Sequence, residues 1–120
     1  MKTLFAIAIP ILPGKTQQWK KFTTELRTTR YNEFVESRDK LNVRERTFYQ
    51  STPMGDLVVV TLEGEDPQGA FQKFAQGNDT FTKWFAKEVK EVHGVDLANP
   101  PQGALPEVII DSQAAILHHN

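Results

Sequence analysis

The sequence predicts a single α+β domain, built in the order β-α-β-β-α-β around a four-stranded antiparallel sheet. Three observations carry that expectation. Arg44 to Gly64 alternates as a strand pair broken at Thr52-Pro53-Met54-Gly55-Asp56, Leu4 to Ile11 is a continuous apolar run, and helical periodicity flanks the strand pair on both sides. At 120 residues the chain is long enough to bury one core and too short for a second domain. The domain is expected over residues 1–111, with residues 112–120 as a tail.

Leu4 to Ile11 reads as a central strand buried on both faces, with Phe5, Ile7 and Ile9 on one side and Leu4, Ala6 and Ala8 on the other. From about Lys15 the period turns helical. Trp19, Phe22, Leu26, Phe34 and Leu41 form an apolar stripe with gaps at Arg30 and Ser37, and the β-branched pair Thr28-Thr29 marks a bend. Strands follow from about Val43 to Ser51 and from Leu57 to Glu63. Pro53 at the first central turn position and Gly55 in the left-handed region predict a three-residue loop with Thr52 opposite Asp56. That register pairs Tyr49 with Val59, Arg46 with Leu62 and Glu45 with Glu63. The last pair is unfavourable if both carboxylates are ionised, so either an arginine sits between them, one is protonated, or the register is different.

Asp66 is the expected N-cap of a short helix with Pro67 at its first position. A longer helix from about Thr80 to His93 carries Phe81, Trp84, Phe85, Val89 and Val92 on one side, and Gly94 ends it. Glu107 to Asp111 is expected as the last strand, and Ala114 to Leu117 as an apolar piece of the tail. Helices cover one sheet face. The other face is too apolar to stand in water, which calls for a second copy packed against it.

Fourteen basic and fifteen acidic residues, a net charge of -1 and a pI near 6.3 leave no electrostatic footprint for nucleic acid or an acidic membrane. With no cysteine there are no disulfides, thiolate catalysis or cysteine-based metal sites. Met1 to Pro10 imitates a short leader but is broken by proline and is far below the ~20 residues needed to span a bilayer, so a cytoplasmic location is expected. His118 and His119 lack the carboxylate or cysteine partners of a specific metal site.

The candidate chemistry is sparse. His93 is either a general acid or base or a cation favoured by the helix C-terminus. Arg30, in the apolar stripe, either keeps its head in water, pairs with Glu33 or Glu36, or holds an anionic ligand. Arg46 is either an edge-strand charge or a second anion-binding group, Trp84 lines a pocket or packs in the core, and Tyr49 is a proton carrier. Pro13-Gly14-Lys15-Thr16 lacks the first glycine of a phosphate loop.

Ile9-Pro10-Ile11-Leu12-Pro13-Gly14-Lys15, Arg44-Glu45-Arg46, Thr52-Pro53-Met54-Gly55-Asp56, Leu62-Glu63-Gly64-Glu65-Asp66-Pro67 and His93-Gly94-Val95-Asp96-Leu97 together make the chain resemble the dimeric α+β-barrel (ferredoxin-like) superfamily, and within it a group of uncharacterised bacterial proteins. The resemblance implies a homodimer with facing sheets and a cavity between sheet and helices. Relatives of that kind include cofactor-free monooxygenases, haem-degrading enzymes, isomerases and ligand-sensing domains. Trp84 and His93 are spaced as in the haem-degrading type, but the first strand offers Ala6 and Ala8 and no Asn, so no haem or other cofactor is expected. The expectation is a homodimeric small-molecule-binding protein for an aromatic or anionic compound, with His93 and Tyr49 moving a proton and Arg30, Arg46 and Trp84 holding the substrate. The alternative is a non-catalytic interaction module.

Overall fold

Two apolar alternations converge on one segment, Gly55 to Gly64, and that segment is the middle strand of the sheet. The structure, a computed structural model, describes residues 2–99 and 106–113. Its elements are β1 (Thr3–Pro10), α1 (Thr16–Arg27), α2 (Tyr31–Lys40), β2 (Val43–Thr52), β3 (Gly55–Gly64), α3 (Pro67–Gln72) and α4 (Thr80–His93). The sheet is antiparallel, three-stranded and ordered β1-β3-β2. The expected four-stranded, ferredoxin-like sheet is not what these residues form. Glu107 to Asp111 takes no strand pairing, and Val108, Ile109 and Ile110 are 65%, 81% and 87% exposed. β-Branched composition favours extended backbone, but a strand exists only where an edge pairs with it. The tail from Ala114 onward lies outside the described residues.

The hairpin register is one residue away from the sequence expectation. Thr52 pairs with Gly55 across Pro53-Met54, so Tyr49 faces Val58, Glu45 faces Leu62 and Arg46 faces Thr61. Because side chains alternate with period two, this slip exchanges the faces of β2. Glu45 moves beneath the helices, Arg46 moves to the opposite face, and the awkward pairing of Glu45 with Glu63 disappears. Gly55 holds φ 125, as its place after the turn requires.

One sheet face carries Phe5, Ile7, Ile9, Val58, Val60 and Leu62 and is covered by helices. The other carries Leu4, Ala6, Ala8, Phe48, Val59 and Arg46 and is open among the described residues, with Leu4 and Phe48 more than half exposed. β1 is therefore buried on one face, and the strand covered on both sides that its unbroken apolar run suggested is corrected.

The long helical stripe divides at Thr28-Thr29-Arg30. Thr28 ends α1 with its hydroxyl donating to the Thr24 carbonyl (2.6 Å), and the chain restarts as α2 with Arg30 as N-cap. α1 is tied to α4 by Phe22 against Phe85 and Trp84, and by the Gln18 amide donating to Glu88 and Glu91. Asp66 caps α3 through the Gly69 N–H, Asp79 caps α4 through the Thr82 N–H, and Gly94 closes α4 at φ 72.

Candidate functional site

The division between α1 and α2 leaves the helices arched over the sheet, and the space beneath is not filled. A cavity of about 600 Å³ lies there, walled by Phe22, Phe34, Phe71, Phe85, Val58 and Val60. Its rim is different in chemistry. Lys20, Thr24, Arg27 and Tyr31 from the helices and Thr47 from β2 line it and are all exposed. A volume of this order, mostly apolar with a few polar groups at the edge, is the usual form of a small-molecule site.

Two ionisable side chains belong to the wall. His93, in the last turn of α4, is half-buried, and its Nδ1 lies 2.9 Å from the Pro10 carbonyl oxygen. A carbonyl can only accept, so Nδ1 carries the proton and Nε2 keeps a free lone pair. Burial lowers the pKa of this imidazole, and the hydrogen bond to Pro10 opposes the shift in part. Glu45 is the other. Its Oε1 accepts from Arg38 Nε at 2.7 Å and its Oε2 from the Thr47 hydroxyl at 2.9 Å, so both oxygens are engaged.

Arg38 is the one charged residue among the described residues that is fully buried. Its guanidinium carbon lies 3.9 Å from the Phe74 ring centre, 4.7 Å from that of Phe85 and 4.9 Å from that of Phe34. Nη1 donates to Ser37 Oγ, and Nη2 has no hydrogen-bond partner among the described residues. Ring faces supply negative potential where oxygen acceptors are missing.

Of the five residues singled out from sequence, His93 alone lines the cavity. Arg30 and Trp84 do meet, the guanidinium carbon 4.2 Å from the indole centre, but neither reaches the cavity wall, and Arg30 also pairs with Glu33 at 3.4 Å. Arg46 stands on the open sheet face, 3.5 Å from Glu63. Tyr49 stacks on the far side of Trp19 at 5.2 Å, with Lys20 Nζ 5.4 Å from its ring. Burial, then the hydrogen bond and charge of Asp56, raise the Tyr49 pKa, while the Thr16 hydroxyl is the largest cause lowering that of Asp56.

The rim residues Lys20, Thr24, Arg27 and Tyr31 were missed. They recur at steps of four, three and four, a polar row running beside the apolar stripe, and that spacing was the available signal. Glu45 was missed through the register.

Among the described residues no three of His, Asp or Glu gather closely enough to hold a metal ion, and no helix is long and apolar enough to cross a membrane. Comparisons with protein-family models, curated proteins and solved structures find no match to this chain.

Proposed function

We propose that this protein binds a small, largely apolar molecule in the cavity between α1, α2 and the sheet. The observation that carries this reading is the unfilled volume itself. A half-open volume of about 600 Å³, walled mostly by phenylalanine and aliphatic side chains with polar groups at its rim, has the form that small-molecule sites take. Aromatic walls suit a planar or chain-like body. The catalytic extension, a cofactor-free isomerase or monooxygenase, rests on His93, whose neutral imidazole is the wall group able to take a proton.

The open sheet face supports a second element of the proposal, a homodimer with the two sheets face to face, as the resemblance to dimeric α+β barrels implies. Leu4, Ala6, Ala8, Phe48 and Val59 make an apolar surface of the kind that two copies bury symmetrically. The same face favours the interaction-module reading if the cavity proves empty in solution.

Native mass spectrometry of the gently purified full chain tests both elements together. The expected result is a dimer carrying extra mass equal to one small molecule per subunit, released on denaturation. A dimer with no extra mass that also fails to take up apolar probes removes the ligand and leaves the interaction module. A monomer removes the face-to-face pairing.

A further inference from the structure

The cavity has an apolar interior and a cationic lip, and the two together specify more than an apolar ligand. Arg27 lines the rim with its guanidinium spent only on its own helix, Nε to the Thr23 carbonyl and Nη2 to the Thr24 hydroxyl, and it makes no ion pair among the described residues. Lys20 stands about two turns earlier on the same edge, its ammonium over the Tyr49 ring and within the field of Asp56. The acid in the wall, Glu45, is neutralised by Arg38 and has both oxygens occupied. Arg27 thus brings to the mouth a positive charge without an ion-pair partner among the described residues, Lys20 adds a second beside Asp56, and the interior offers a bare charge nothing.

Resting on the cavity reading, we propose that the ligand is an amphipathic carboxylate, seated with its aromatic or alkyl body among Phe22, Phe34, Phe71 and Phe85 and its carboxylate at the rim on Arg27 and Lys20. Arginine matches a carboxylate through two parallel N–H donors, and lysine adds a mobile point charge. Tyr31, at the rim, has a hydroxyl suited to a remaining carboxylate lone pair, whereas the Thr47 hydroxyl is already given to Glu45. Head-out seating leaves the desolvated part of the ligand free of charge.

The experiment is a titration followed by tryptophan fluorescence and calorimetry with matched pairs: biphenyl-4-carboxylate against biphenyl-4-carboxamide, and decanoate against decanamide. Each acid is expected to bind about tenfold more tightly than its amide, the difference that one charge-assisted contact supplies. In the Lys20→Gln/Arg27→Gln variant the preference should vanish while the affinity for the amides is kept. Acids and amides binding the wild type equally would overturn the carboxylate assignment and leave the apolar cavity reading standing. Failure of all four probes to bind would overturn both.

Discussion

Arg38 on α2 reaches Glu45 on β2 with Nε and Oε1 2.7 Å apart, and both side chains are more than nine-tenths withdrawn from water. The pair closes one end of the helical arch over the sheet. Removing one partner strands the other charge in a box of phenylalanines. Arg38→Ala or Glu45→Ala should each cost about 3–5 kcal/mol. Replacing both by apolar residues of similar size, Arg38→Met with Glu45→Leu, should recover most of that loss. Urea unfolding midpoints of the three variants decide it, and equal losses in the single and double variants would show that packing, not charge, is what the pair supplies.

His93 gives the fold a pH dependence of known sign. Burial lowers its folded pKa below the ordinary 6.5, so the unfolded chain takes up the proton first as pH falls. The contribution is complete above about pH 6.5 and declines as pH drops toward the folded value. The lowered carboxylates of Asp56, Asp79 and Asp96 act in a separate window, as pH falls through and below their unfolded pKa of 3.8. Thermal stability of the wild type should therefore fall as pH drops below about 6.5, and His93→Gln should flatten that part of the profile only.

Phe48 sits midway along the edge strand β2 on the open sheet face, across from Val59. Phe48→Asp should leave the far-ultraviolet circular dichroism unchanged and convert the proposed dimer to monomer in sedimentation velocity. A dimer that persists would place the contact elsewhere.

Gly94 holds φ 72 at the end of α4, and a Cβ there would meet only the Leu12 side chain at 3.5 Å. Space is ample, so the cost of Gly94→Ala is conformational, about 1–2 kcal/mol. A loss much above that in chemical denaturation would mean that Leu12 cannot give way.

What could be read from sequence was local. Asp66-Pro67 and Gly94 mark helix ends through their own backbone chemistry, and the structure has Asp66 as the cap of α3 and Gly94 as the cap of α4. Thr28-Thr29 announced a weak point, and the helix divides there. What failed depended on choosing between adjacent positions. Phe34 and Leu41 are seven residues apart, a gap that Ser37 or Arg38 can bridge equally well; spacing named Ser37, and Arg38 is the one buried. In the hairpin, counting one extra loop residue put Glu45 and Arg46 on exchanged faces. The anion-binding arginine expected at position 46 was thereby placed on the cavity side, whereas the cations that line the cavity are Lys20 and Arg27. The last strand failed for a different reason: strand propensity in Val108 to Ile110 says nothing about where a pairing edge will be.

The central place of β3 also sets a timetable. β2 and β3 are joined by Pro53-Met54 and can zip within microseconds, but β1 has β3 as its one strand partner among the described residues, and Thr3 meets Gly64 across 61 residues. At about 5–20 residues per second on the ribosome, β1 waits roughly 3–12 s for that partner to be made. Throughout that interval its Leu4 to Ile9 run is an uncovered, uncharged ribbon. Crowded synthesis is thus the moment of greatest danger for this chain, and its vulnerability in the cell belongs to the birth of the molecule more than to its finished form.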